Sequence, residues 1–414
     1  MDSIFKSQLV ITAADGPEKL GYVVIDSEIG GRSSGGLRML PDISEDEIRC
    51  LARAMTLKYG FLGLPQGGAK AGLFGNPEAS KEERRERLAA FSQVIAPLLR
   101  NRVYVPGTDM GTTNADIGYL LESVGVKVKK RELRGTDSGY YTALTVFAGV
   151  EQAAKFLDLS LSGSSVAIEG FGKVGSSVAM LMAEANAHIA AISTSKGALF
   201  NSKGLDVFRL RELAMEKGSD LVDHYTNADR MDCSELLQLP IDILCPCARH
   251  NSINDNNVEQ IQPKIVCPGA NIPITPKAER SLFERGVLCL PDFVTNSGGV
   301  LGGTMEFASL SKDKIYGFIL KYVGACIKEL LLTAHRQNVL PRDIAIPLAQ
   351  RRFEIMRRNA QKRNLLGRSF ELGLEFYRRG MIPGSLSSWL SPTYFKRKLD
   401  GISLEVKRTA ANRE

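Results

Sequence analysis

Residues 164–195 read SSVAIEGFGKVGSSVAMLMAEANAHIAAISTS, and this stretch decides the fold. SSVAIEG is a short apolar run of the kind that makes a buried strand, and it enters the glycine turn GFGKVG. Val178, Leu181, Met182 and Ala185 then recur on one face of a helix, and HIAAIS supplies a second strand. Strand, turn, helix and strand in that order form a βαβ unit, the opening of a parallel, doubly wound α/β sheet. Gly170, Gly172 and Gly175 form a G-x-G-x-x-G that also contains Lys173 and Val174. Alone the pattern is weak. Between a strand and a helix each glycine has a job: a tight turn, close approach of a pyrophosphate, and close helix-to-sheet packing, so the segment predicts a dinucleotide site.

Such sites usually place an acid about 20 residues further on, where it accepts from a ribose 2′-hydroxyl. Ile189 to Gly204 holds no Asp or Glu, and the second strand ends in Ser193, Thr194, Ser195 and Lys196. Without a carboxylate to repel a 2′-phosphate, NADP or use of both cofactors is favoured over strict NAD. The other reading of this loop is NAD bound less tightly.

Outward from this unit, PIDILCP, PKIVCPG and GVLCLPDF each end in Pro or Gly and predict further buried strands. Upstream, GYVVIDSEI predicts a strand followed by glycine turns around Gly30, Gly31, Gly35 and Gly36. A helix follows, with Ser44 and Glu47 at capping-box spacing and Ile48, Leu51, Ala52 and Met55 on one stripe. From about Lys312 the chain reads as helical, with Ile319, Val323, Cys326 and Ile327 aligned. The 414 residues suit two or three domains. A hydrophobic share of 44% with 24% charged residues excludes disordered, collagen-like and coiled-coil chains.

No basic, apolar leader opens the chain and no apolar run reaches bilayer length, so a soluble, unexported, cytoplasmic protein is expected. Seven scattered cysteines read as buried reduced thiols, and the C-x-C of Cys245 and Cys247 lacks a second pair at zinc spacing, so no metal is expected. Residues 351–414 carry 15 Lys+Arg against 6 Asp+Glu within a total charge of +7. The charges interleave with apolar residues as on a solvated amphipathic helix, which is favoured over a nucleic-acid or membrane contact.

Lys58 continues the apolar stripe of the first helix, and Lys70 lies in LPQGGAKAG among glycines. A small anionic substrate can reach such a lysine, whose pKa would fall through desolvation and a second nearby ammonium. Read singly, both are snorkelling lysines at a helix end and in a turn, Asp109 is an N-cap or turn residue, and Asn296 shapes a glycine turn.

Taken together, GGLRM, LARAMTLKYG with LPQGGAKAG, VPGTDMGTT, GFGKVG with STSKG, PGANIPITPKA and PDFVTNSGGV stand in the order found in the Glu/Leu/Phe/Val amino-acid dehydrogenase family, which the chain resembles from Leu20 to Asn359. The resemblance implies a substrate/catalytic domain at 1–136, a Rossmann NAD(P)-binding domain at 137–304, C-terminal helices returning to the first domain at 305–360 and a basic extension at 361–414. It implies an active site in the cleft between domains and a homo-oligomer. By correspondence Lys58 holds the substrate α-carboxylate, Lys70 acts in the chemistry and Asp109 transfers protons. Gly36 joins the substrate set, Thr142 lies near the nicotinamide, and Asn271 and Asn296 line the cofactor and substrate sites. The implied reaction is oxidative deamination of an L-amino acid to a 2-oxo acid and ammonia, with the Cα hydrogen passing to nicotinamide.

The correspondence also bounds the side-chain pocket by Ser34, Gly107, Val300 and Gly303. Glutamate enzymes of the family carry a lysine where this chain has Ser34 and a serine where it has Gly303, so both anchors for a second carboxylate are missing. A bulky aliphatic or aromatic substrate is expected. The alternatives are glutamate held by other residues, or a non-catalytic relative that senses nucleotide or binds an anion.

Overall fold

The computed structural model describes residues 9–128, 136–361, 376–377 and 380–411. The chain divides into two compact units, Met1–Gly135 with Ala349–Leu390, and Thr136–Leu348 with Ser391–Glu414. Among the described residues no helix is long and apolar enough to cross a membrane.

The first unit is built on five strands: β1 (Leu9–Asp15), β2 (Glu18–Ile25), β3 (Ser33–Leu40), β4 (Gly67–Phe74) and β5 (Tyr104–Thr108), ordered β1-β2-β4-β3-β5. β1 and β4 run antiparallel to β2, while β3 lies parallel to β4 and β5. Residues alternate between the faces of a strand. Leu37, Met39, Ala69, Ala71, Leu73 and Tyr104 therefore share one face, packed on Leu88 and Phe91 of α2 (Lys81–Val94), Leu99 of α3 (Ala96–Arg100) and Leu120 of α4 (Asn114–Glu122). Ser34, Gly36, Arg38, Gly68, Lys70 and Gly72 have the opposite parity. That face carries α1 (Glu45–Leu62): a Cβ on Gly68 would lie 2.3 Å from Thr56 N, and one on Gly72 would lie 2.7 Å from Ile48 Cδ1.

The expected turn at Gly30 and Gly31 is present, with φ of 60° and 72°. Gly35 and Gly36, expected in a turn, instead lie inside β3. The reason is contact across the pair: a Cβ on Gly35 would sit 1.6 Å from Ala69 O of β4. Glycine here serves close strand approach rather than chain reversal.

The second unit holds β6 (Ser165–Glu169), β7 (His188–Thr194), β8 (Gly197–Phe200), β9 (Asp229–Met231), β10 (Ile243–Pro246), β11 (Ile265–Val266) and β12 (Leu288–Cys289), ordered β12-β11-β10-β6-β7-β8-β9. The five strands from β12 to β7 are parallel, and β8 and β9 add an antiparallel edge. This is the doubly wound α/β sheet read from residues 164–195. α5 (Ser138–Phe156) and α6 (Lys173–Glu184) pack on it, followed by the helices of the third region. The stripe Ile319, Val323, Cys326 and Ile327 is buried as expected, although Ile319–Val323 forms a π turn between two α segments.

The helices from 305 to 348 belong to the second unit, and helix Pro341–Gln361 carries the chain into the first at Ala349. There α1 receives it at Gly60, where a Cβ would come 2.2 Å from Ala349 O, and Arg352 Nε donates to Gly60 O at 3.3 Å. The last helix, Gly384–Ala411, sets Phe395 edge-on to Phe318 at 6.4 Å. The amphipathic stretch expected beyond Gln361 falls largely on 362–375 and 378–379, outside the described residues.

Candidate active site

In the first unit Lys70 stands in the middle of β4 rather than in a turn. Its Nζ lies 2.7 Å from Asp109 Oδ2, and Arg38 Nε donates to the same oxygen at 3.0 Å. The other arm of Arg38 is paired with the buried Glu47 carboxylate. Four alternating charges thus sum to zero in a layer walled by glycine. A Cβ on Gly36 would come within 2.8 Å of Asp109 Cβ and 3.3 Å of Lys70 Nζ, so glycine is what admits the pair. Asp109 is not an N-cap, because α4 starts on Thr113 with a capping box to Asp116. Its turn is pinned by Thr112, whose hydroxyl donates to Leu37 O at 2.8 Å and accepts from Asp109 N at 3.0 Å.

Burial pushes the Lys70 ammonium below its ordinary pKa; Asp109 opposes the shift and the Arg38 guanidinium adds to it. The expected second ammonium is therefore a guanidinium. Burial also disfavours charge on Asp109, but Lys70 and Arg38 outweigh it and hold the carboxyl well below the usual range. Lys70 keeps 4% of its side chain exposed and Asp109 keeps 15%, so the carboxylate is the reachable end of the pair. A lysine that sheds its proton easily, touching an ionised carboxylate, can move a proton between water and a bound amine.

Lys58 is buried on α1 a turn before its end. Ser34 Oγ donates to Val105 O at 3.0 Å. Gly107 pairs with Gly36 across β3 and β5, and a Cβ on it would meet nothing within 4 Å. Sequence reasoning missed Arg38 and Glu47. The signal was there in part: Arg38 shares strand parity with Ser34 and Gly36 instead of the apolar residues. Glu47, expected only in a capping box, gives its backbone N–H to Ser44 and its carboxylate to Arg38.

In the second unit the three glycines serve three separate needs. Gly170 has φ of +90°, and a Cβ there would lie 2.9 Å from Ala248 Cβ. Gly172 caps α6 and its Cβ would enter open space, where a pyrophosphate can approach the helix N-terminus. A Cβ on Gly175 would sit 1.8 Å from Gly170 O, so glycine lets α6 lie against the end of β6. Lys173 and Val174 open the helix, packed beside Gly139 and Gly269. Ser193 Oγ accepts from Gly170 N at 2.9 Å. Thr194 Oγ1 donates to Ser219 O at 2.8 Å; at this strand end Ser195 and Lys196 are exposed, and Arg230, which donates to the Lys196 carbonyl, is paired with the Asp223 carboxylate.

At the same carboxyl end of the sheet, toward its β12 edge, Asn296 Nδ2 donates to Asn271 Oδ1 at 3.0 Å and to Ala270 O at 2.9 Å. Asn296 Oδ1 is buried and bonds to nothing among the described residues, an acceptor suited to the amide of a nicotinamide. The open space at Gly172 and this orphan acceptor both fit a dinucleotide. Thr142 Oγ1 donates to Ser138 O at 2.8 Å, and a Cβ on Gly299 would press on it at 2.6 Å. On helix Gly298–Phe307, Gly298 and Gly302 are required by flush packing on Tyr141, with Cβ approaches of 1.8 and 2.3 Å. Gly303 is not: its nearest neighbour would be Thr136 at 3.6 Å, leaving room beside Val300.

Two family models match the chain: "Glu/Leu/Phe/Val dehydrogenase, dimerisation domain" over residues 3–125 and "Glutamate/Leucine/Phenylalanine/Valine dehydrogenase" over residues 136–361. Glutamate dehydrogenase of Thermotoga maritima is 30% identical over 350 residues, 80% of this chain and 83% of that protein. The NAD-specific glutamate dehydrogenase of Staphylococcus aureus is 34% identical over 305 residues, 69% of this chain and 72% of its own length. Among solved structures, the hetero-hexameric glutamate dehydrogenase of Thermus thermophilus in its Leu-bound form superposes with a TM-score of 0.72 at 24% identity, covering 85% of this chain and 89% of that one.

Proposed function

Since the chain belongs to the Glu/Leu/Phe/Val dehydrogenase family and is an NAD(P)-dependent amino-acid dehydrogenase acting on CH–NH2 donors, we propose that its substrate is an L-amino acid with a bulky aliphatic or aromatic side chain. The observation that carries this reading is the absence of charge at Ser34, Gly107, Val300 and Gly303, with open space at Gly107 and Gly303. A second carboxylate placed against these residues would lose hydration without gaining a cation, at roughly 2–7 kcal/mol for an unpaired polar group and more for a charge. An apolar side chain would gain roughly 25 cal/mol per Å² buried.

In this reading Lys58 holds the α-carboxylate and Asp109 exchanges protons with the nitrogen. Lys70, neutral in the reacting state, takes the proton from the water that attacks the imine carbon. Thr142 and Asn271 hold the nicotinamide end of the cofactor and Gly170 to Gly175 its pyrophosphate; Asn296, placed in the substrate set by the family correspondence, is assigned here to the nicotinamide as well, supported by its bond to Asn271 and its unbonded Oδ1. When bound, the cofactor takes up the two electrons of the oxidation. NADP, or both cofactors, is the finer proposal, supported by the lack of a carboxylate from Ile189 to Gly204 and by the exposed Lys196 at that strand end. Homo-oligomeric assembly belongs to the same reading, supported by the dimerisation-domain match.

Glutamate is the second reading, favoured by the names of the relatives. Measuring kcat/KM for phenylalanine, leucine, valine and glutamate separates the two. Glutamate as the best substrate would overturn the apolar reading. In the double variant Ser34→Lys with Gly303→Ser, glutamate should gain relative to the others.

A further inference from the structure

The loop that presents Asn271 is strained. Ile272, a β-branched residue, sits at φ +52°, in the left-handed region that such residues avoid. Its N–H is held by Asp292 Oδ2 at 2.9 Å. The backbone carbonyl of Asp292 accepts from Asn296 N at 2.8 Å. Asp292 thus grips both asparagines, one through the peptide that follows Asn271 and the other through the helical turn that ends on Asn296.

Behind it Arg342 bonds Asp292 Oδ1 at 2.7 Å and Glu279 Oε2 at 2.5 Å. Both carboxylates are almost fully buried, at 1% and 2% side-chain exposure. Burial raises the Glu279 pKa and Arg342 opposes that shift. One guanidinium therefore fixes the rotamer of Asp292 without occupying the oxygen that holds Ile272.

We infer that Asp292 is a positioning residue for the nicotinamide end of the cofactor, which it serves by keeping Ile272 left-handed so that Asn271 meets Asn296. This rests on the proposed cofactor role of the two asparagines. Asp292 touches no cofactor atom in this assignment. Its role is to fix the backbone beneath the residues that do.

The test is titration of the intact protein with NADH and NADPH, followed by nucleotide fluorescence, alongside steady-state kinetics. Asp292→Asn should weaken binding of the preferred nucleotide about tenfold, while the amino-acid KM at saturating cofactor stays within twofold. Because strain at residue 272 is what Asp292 offsets, Ile272→Gly in the Asp292→Asn background should recover at least threefold of the lost affinity. A loss of fold stability alone would lower the denaturant midpoint while leaving the nucleotide affinity of the folded protein unchanged. Asn271→Ala is the control for the underlying reading. If it leaves affinity unchanged, the asparagine assignment falls and this inference with it. If Asn271→Ala weakens binding but Asp292→Asn does not, or its loss is not recovered by Ile272→Gly, the positioning role is overturned and the site stands. Should Asp292→Asn fail to fold, Asp292→Glu keeps the charge for Arg342 but displaces the oxygen from Ile272. Unchanged nucleotide affinity in that variant overturns the inference, and a loss of several fold supports it.

Discussion

At the scale of the residue, one oxygen organises the chemistry. Asp109 Oδ2 receives both Lys70 and Arg38, so neither cation can be changed without altering the other's partner. Lys70→Ala and Asp109→Asn should each lower turnover by about 10² to 10⁴, the span of general acid/base groups, with NADH affinity unchanged. Near-normal turnover in both would remove them from the mechanism. Arg38 holds the pKa values of Lys70 and Asp109 down. Its loss should raise both, so Arg38→Gln should move the rising limb of kcat/KM to higher pH, and an unmoved or acid-shifted limb would contradict the assignment. Glu169 offers a separate test at the end of β6. Burial pushes its carboxyl up to about 7, against an opposing bond from Ser252. A raised acid binds its proton more tightly folded than unfolded, so its contribution to stability is lost as pH rises from the ordinary carboxylate value through about 7. Glu169→Gln should therefore be more stable than the unmodified protein at pH 8, by roughly 1–3 kcal/mol, and no more stable at acid pH. Denaturant midpoints across that range decide it.

At the scale of the element, the glycines of one turn divide their labour, and substitution can separate the shares. Gly175→Ala forces a methyl into Gly170 O and should cost about 1–3 kcal/mol of stability. Gly172→Ala meets no protein atom, so its Tm should hold while the NADH Kd rises about tenfold or more. Equal loss of stability in the two would show that the space at Gly172 is not reserved for a ligand. The βαβ unit was legible because its determinants are local, all within one run of 32 residues. Strand β3 was not, because its glycines carry the same signature as a turn, and only β4 beside it reveals the close approach. The bond between Arg38 and Asp109 spans 71 positions and joins two strands whose pairing no local pattern specifies. Lys58 and Lys70 stood out because a cation on an apolar stripe or among glycines violates binary patterning. Arg38 and Glu47, each beside residues that made it look ordinary, did not.

At the scale of the whole molecule, the first unit is discontinuous, and α1 is the place where its two pieces meet. Gly60, two residues beyond Lys58, has Ala349 O where a Cβ would go. Gly60→Ala should displace that segment, lower the stability of the first unit by about 1–3 kcal/mol and raise the amino-acid KM. Nucleotide affinity, a property of the second unit, should be unchanged; calorimetry and titration on one sample read both, and a weakened NADH Kd would refute the separation. The same junction has a consequence for synthesis. Arg352 and Gly60 are 292 positions apart, so the emerging chain exposes the Gly60 face of α1 long before its cover is translated. At about 5–20 residues per second the delay is on the order of 15–60 s. By the end of that interval, once Cys289 has been translated, the second unit has its whole parallel sheet in hand while the first still waits for a helix inside the ribosome, leaving a nascent apolar face for a holding chaperone to cover.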